Sequence, residues 1–249
     1  MKPKVKLRLF QILVGLLLLI IVNQLLWMKR TNESILYYET LQKTFSMESD
    51  DEIQLGGKLD EKANLLYEFK PNDQLNLINE NADYVGWVAI ENTGINHPVV
   101  RAKDNAFYLN RDFNKKPSKA GAIFMDYRNL GQFNDRHTVI YGHYMNDGSM
   151  FGDLHAFKSE SFFKQNRQIR LKGLYEEKTY TIFSVTIENA DEYEIDIRVL
   201  DDDYLKTLMD ASLHELNFNL DLSKNILTLV TCSYEMENGR IIIHAFEDE

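Results

Sequence analysis

Cys232 is the only cysteine in the chain, and eight residues after it stands Arg240. The thiol ends the apolar run Ile226-Leu-Thr-Leu-Val-Thr-Cys232, and the arginine opens a second run, Arg240-Ile-Ile-Ile-His-Ala-Phe246. With Asn238-Gly239 between them, the two runs read as an antiparallel pair, so thiol and guanidinium reach the same rim. A cation beside a thiol favours the thiolate, and it can also hold the oxyanion formed when a thiolate attacks a carbonyl. The bland alternative is a small buried thiol and a solvated arginine. A Cys nucleophile further needs a proton carrier, which directs attention to the six histidines. His97, His155 and His214 read as packing or surface residues, and His137 opens the run that ends in Tyr141-Gly142. His143 follows that glycine and precedes the polar loop Tyr144-Met-Asn-Asp-Gly-Ser149, where a strand hands an imidazole to a cleft. It ranks first, and His244, on the arginine's own strand, ranks second. Papain-like thiol hydrolases carry the Cys early on a helix with the His after it; here the order is reversed, which disfavours that architecture.

Short β-type runs must position these groups: 85–90, 95–100, 122–125, 138–141, 168–171, 178–185, 226–231 and 240–246. Eight strands joined by turn signals such as Asn92-Thr93-Gly94 predict a mainly β domain, a closed barrel or sandwich rather than βαβ units. One connection is longer. Within 186–225 the spacing predicts a helix over Asp201–Leu216, with acids at its start and Leu205, Leu208, Met209 and Leu213 on one stripe. Ile35, Leu36, Tyr37 and Leu41 sit at helical spacing, 47–52 is an acidic break, and 59–69 resumes a helical pattern until Pro71.

Upstream, Leu9–Met28 is interrupted only by Gln11, Asn23 and Gln24. At about 1.5 Å per residue such a helix is about 30 Å long, the thickness of a bilayer's hydrocarbon core. Trp27-Met28-Lys29-Arg30 follows with no small-residue cleavage pattern, which predicts a retained signal anchor rather than a cleaved peptide. Four cations precede the segment and two follow it, so the positive-inside bias predicts a cytoplasmic N-terminus and an exported remainder. The expected organisation is a cytoplasmic 1–8, an anchor at 9–28, a stalk with N-terminal helices over 29–70, and a barrel domain over 71–249. An unpaired thiol outside the cell is a liability unless it has a use, which tips Cys232 toward a chemical role.

The 249 residues carry a net charge of −10, with 44% hydrophobic residues, 12 Gly and 4 Pro. Disordered and collagen-like classes are excluded. Beyond residue 30 the chain has 22 basic against 38 acidic residues, the wrong sign for a nucleic-acid partner. The single Cys excludes an internal disulfide framework, and no Cys/His cluster or Gly-rich phosphate loop predicts a metal or an organic cofactor.

The residues resemble the sortases, and within them class B. Thr228-Leu-Val-Thr-Cys232 matches the family's TLxTC, Arg240 follows on the next strand, and His143 closes Val139-Ile-Tyr-Gly-His143. Further class B-like text is Asp83-Tyr-Val-Gly-Trp87, His97-Pro-Val-Val100, Asp104-Asn-Ala-Phe-Tyr-Leu109, Gly121-Ala-Ile-Phe-Met-Asp-Tyr-Arg-Asn129 and Asp147-Gly-Ser-Met-Phe-Gly-Asp153. The likeness runs from about residue 70 onward. It implies an eight-stranded sortase β-barrel with N-terminal helices and a helical connection before the Cys-bearing strand, anchored on the outer face of a Gram-positive membrane. It also implies transpeptidation. Cys232 attacks the carbonyl after Thr in a sorting signal of Asn-Pro-x-Thr type on a surface protein, His143 protonates the departing amine, and Arg240 holds substrate or oxyanion. An amine of a cell-wall precursor then resolves the thioester. Val230, Thr231 and Ser233, beside the nucleophile, are the implied substrate contacts; Val230 stands where some class B members carry a hydroxyl. The resemblance implies no cofactor. No carboxylate in the sequence is placed to orient His143. A thiol hydrolase using the same residues, and a tethered binding protein on the same barrel, are the alternative readings.

Overall fold

The computed structural model describes residues 3–45, 76–191, 195–198, 201–215, 223–232 and 239–248. The helical stretch read at 59–69, the acidic break at 47–52, Leu216 and Ser233 lie outside them, as does the side chain of Cys232. Eight strands close into a barrel: β1 Tyr84–Ile90, β2 Asn96–Val100, β3 Ile123–Met125, β4 His137–Tyr141, β5 Gln168–Gly173, β6 Glu177–Asn189, β7 Ile226–Cys232 and β8 Gly239–Glu247. Around the barrel they run β1-β2-β3-β4-β7-β8-β6-β5. Every run of alternating or continuous apolar residues anticipated as a strand is one, to within a few residues. The barrel is mixed, because β2 pairs with β3 and β4 pairs with β7 in parallel. The insertion of β5 and β6 between β4 and β7 in sequence supplies the long crossover that parallel pairing requires.

Alternation along the strands builds two layers on the sheet. Leu227 and Leu229 of β7 join Ile241, Ile243 and Ala245 of β8 and Ile140 of β4 in the barrel's main core. The opposite face is roofed by the connection between β6 and β7: Ile195 packs with Val139, Val230 and Ile242, and helix α4, Asp202–Asp210, lays Leu205 and Leu208 on Phe183, Ile226 and Phe246. Asp201 caps α4 by accepting from the Tyr204 N–H at 2.8 Å. Each leucine so buried contributes about 1.5–3 kcal/mol of transfer free energy. The helix is shorter than the sequence predicts and Leu213, at 48% exposure, is not on its buried stripe. The chain leaves the helix to pair with β6: the Leu213 N–H donates to the Val185 carbonyl at 2.8 Å, and the Val185 N–H donates to Ser212 Oγ at 3.2 Å. His214 takes the buried place instead, donating from Nε2 to the Phe157 carbonyl at 2.6 Å and stacking on Phe163.

Among the described residues there are three further α-helices. α2, Asn76–Glu80, leads into β1, and α3, Glu160–Gln165, leads into β5. The third, α1, runs without a break from Pro3 to Thr44. Its apolar residues from Ile12 to Met28 are exposed, whereas Ser34, Tyr38 and Leu41 are buried against the barrel. One helix is thus long and apolar enough to cross a membrane, and its C-terminal half forms part of the barrel's wall.

Candidate active site

Three strands meet at the site, and their registers decide what stands beside what. On one side of β7, Cys232 pairs with Arg240 of β8. On the other, Tyr141 of β4 pairs with Val230, and the Gly142 N–H extends the ladder by donating to the Val230 carbonyl at 3.1 Å. Two residues beyond the Tyr141–Val230 pair, Cys232 ends β7, while His143 follows β4 just past its end. Positions 143, 232 and 240 therefore fall at the same end of the barrel, on or just after three neighbouring strands. His244, four residues along β8, pairs instead with Thr228 and is wholly buried.

Gly142 is what lets the chain turn out at this point. A Cβ there would lie 2.4 Å from Ile123 Cδ1 and 2.6 Å from Phe151 Cγ, so the residue before His143 has room for no side chain. The imidazole is then held by a backbone group: His143 Nε2 lies 2.6 Å from the Leu109 carbonyl oxygen. A carbonyl carries no proton, so Nε2 carries the hydrogen of this bond. The same ring abuts Gly121, whose φ of +61° suits glycine; a Cβ there would meet His143 Cδ2 at 2.9 Å and the Tyr108 and Leu109 carbonyl oxygens at 2.8 and 2.9 Å.

The outer face beside Arg240 is a groove of about 190 Å³, lined by Val230, Ile242, Ile195, Tyr141, Glu188 and Arg128 among others. Val230 faces this groove and Thr231, 2% exposed, takes the other parity on β7. Arg240 donates to the Gly239 carbonyl at 2.8 Å, and Glu188 is its register partner on β6. The groove's far wall rests on a buried carboxylate. Asp126 is fully buried and accepts from Arg128 Nε and Nη2, both at 2.9 Å, and from the Tyr141 hydroxyl at 3.0 Å. Burial alone would push its carboxyl up, but the bonds from Arg128 and Asn105 outweigh that and hold it below the usual range. Arg128 Nη2 also donates to the Ile195 carbonyl at 3.2 Å, tying the roof to the strands beneath. Asp126 and Arg128 were not singled out from the sequence as site residues, although both fall in the Gly121–Asn129 stretch that carries the family likeness.

The Sortase-domain family model matches residues 88–248. The chain belongs to the sortase family. Its relatives define the class: sortase B of Listeria monocytogenes is 35% identical over 169 residues, 66% of this chain and 69% of its own length. Sortase B of Staphylococcus aureus is 30% identical over 179 residues, 66% of this chain and 70% of its own. Among solved structures, Clostridium perfringens sortase B superposes with a TM-score of 0.67 at 39% identity, covering 71% of this chain and all of that one. The S. aureus sortase B–substrate complex gives 0.72 at 26% identity over 88% of this chain and 97% of that one. This sortase is of class B and is a cysteine transpeptidase. Its family acts at the Gram-positive cell surface on proteins bearing sorting signals.

Proposed function

We propose that this sortase joins an Asn-Pro-x-Thr-type sorting signal to an amine of a cell-wall precursor, with Cys232 as nucleophile, His143 as proton carrier and Arg240 as the cation at the reacting carbonyl. The observation that carries the reading is the strand register: Cys232 pairs with Arg240 across β7 and β8, and His143 follows β4, just past the Tyr141–Val230 pair and the Gly142 bond to the Val230 carbonyl. The Cys232 thiolate attacks the carbonyl carbon after Thr, and the oxyanion that forms is stabilised by the Arg240 guanidinium. As the C–N bond breaks, protonated His143 gives its Nδ1 proton to the leaving amine, which departs and leaves a thioester on Cys232. The incoming amine attacks that thioester and loses its proton to His143; a new amide forms and the thiolate is released. Val230 and the groove beside it receive the signal's side chains; Thr231, buried on the other parity of β7, does not face them. The exposed apolar part of α1 serves as the membrane anchor, with the N-terminus inside and the barrel outside, and the helix continues to Thr44, where it packs on the barrel.

The test is mass spectrometry of the full-length sortase with Asn-Pro-x-Thr and Leu-Pro-x-Thr peptides, with and without an amine acceptor. Cleavage after Thr, an acyl adduct on Cys232 and a product joined to the amine support the proposal. Cleavage that never yields a joined product under excess amine points to a thiol hydrolase. A preference for the Leu-Pro-x-Thr peptide overturns the assigned signal.

A further inference from the structure

The Leu109 carbonyl that fixes His143 belongs to the segment between β2 and β3, and that segment is fastened to α1. Tyr38, on the part of α1 that lines the barrel wall, is 2% exposed. Its hydroxyl accepts from the Phe113 N–H at 2.9 Å and donates to the Gly121 carbonyl at 3.1 Å. Burial, with the charge of Asp112 nearby, pushes this phenol well above its ordinary range, so it keeps the proton that the second bond needs. Phe113 and Gly121 both lie in the segment that seats His143. Leu109 lies four residues before Phe113, and Gly121 packs directly on the imidazole edge. Just outside them the Ala122 N–H donates to the Tyr108 carbonyl at 3.1 Å, closing the base of the segment. The Tyr38 hydroxyl thus ties the two stretches of chain between which the ring is seated to α1, in addition to the backbone bonds between them.

We propose that Tyr38 is a positioning residue for catalysis: from α1 it holds the 108–121 segment so that the Leu109 carbonyl selects the Nε2–H tautomer of His143. This rests on the role given to His143 above. The ring of Tyr38 packs edge-on against His97 and Tyr37, and Tyr38→Phe keeps that packing while removing both hydroxyl bonds.

The experiment uses the full-length sortase in detergent micelles, labelled with ¹⁵N-histidine, the His143 signals being assigned by their absence in His143→Gln. In the wild type the His143 nitrogens report a single Nε2–H tautomer. In Tyr38→Phe they shift toward averaged positions, and kcat for peptide cleavage falls at least about fivefold, the scale of the two lost hydrogen bonds, while KM for the peptide stays within about twofold. Thr31→Val, which removes another contact of α1 with the same segment, the bond from the Lys119 N–H, leaves the His143 spectrum and kcat unchanged. Wild-type spectrum and kcat in Tyr38→Phe overturn the proposal, and so does a lowered Tm with no change in the spectrum. An equal loss in Thr31→Val also overturns it, because general loosening of α1 then explains the effect. Cys232→Ala is run alongside: turnover in that variant overturns the reading of the site, whereas the tautomer spectrum needs no turnover and still decides the part played by Tyr38.

Discussion

Thr228 opens the TLxTC motif, four residues before the nucleophile, and its work is structural. Its hydroxyl lies 2.8 Å from His137 Nε2 and 2.8 Å from His244 Nδ1, so it donates to one buried imidazole and accepts from the other. Removing it leaves two buried ring nitrogens without that partner. Thr228→Val, close in shape, is expected to destabilise the fold by about 1–3 kcal/mol, read as a lower urea midpoint at unchanged slope. Arg240→Lys tests the other end of the same strand pair. An ammonium cannot reproduce the planar fork of the guanidinium, and transpeptidation is expected to fall by about 10²-fold or more, the usual effect of losing an oxyanion donor; near-wild-type rates in that variant would remove Arg240 from the chemistry. At this scale the sequence was informative about side chains and silent about main chain. Cys232, His143 and Arg240 stand out by type, but the group that orients His143 is the Leu109 carbonyl, which every residue possesses and no letter marks.

The strands were legible because one period-two pattern decides both conformation and burial. Their partners were less so: nothing in the letters of β4 says that it pairs with β7 in parallel, since that choice is made by the closure of the whole sheet. The end of α4 was misread for a related reason. Leu213 continues the helical stripe, but the edge of β6 offers backbone partners at Val185, and strand-like pairing wins over one more helical turn. The segment 108–121 is the element on which the site's precision depends. Gly121 was part of the motif text, and its positive φ and its neighbours now explain its presence. Gly121→Ala forces a Cβ to within 3 Å of two carbonyl oxygens and of the His143 ring. We expect it to lower kcat by at least about tenfold, through displaced general acid–base geometry, and to cost Tm as well. A variant with wild-type kcat would show that the imidazole tolerates a shifted seat.

On the scale of the molecule, burial holds three histidines, His97, His137 and His244, in the neutral form. Burial lowers His97 to about 4 and His137 to about 4, and burial together with the neighbouring His137 lowers His244 to about 3. In the unfolded chain each titrates near 6.5. Between that value and the folded one the unfolded state binds more protons, so stability is full above about pH 6.5, declines as pH falls, and levels off only below about 3 to 4. Each such histidine contributes a slope of at most about 1.4 kcal/mol per pH unit inside that window. Thermal melts from pH 7.5 to pH 4 are therefore expected to show a steady loss of Tm, reduced in a His244→Gln variant that no longer titrates there; a flat profile contradicts it.

The parallel ladder between β4 and β7 has one more consequence, in time rather than in space. It joins His137 to Ile226 and Tyr141 to Val230, residues separated by most of the barrel's sequence, and contacts of such separation form late because the intervening chain must be ordered first. Until that ladder zips, the proton carrier and the thiol belong to unconnected halves of a nascent chain. On the proposed roles of His143 and Cys232, activation waits on ring closure, and a partly folded copy is expected to carry a thiol with no imidazole beside it and to be inert toward the amide bonds around it.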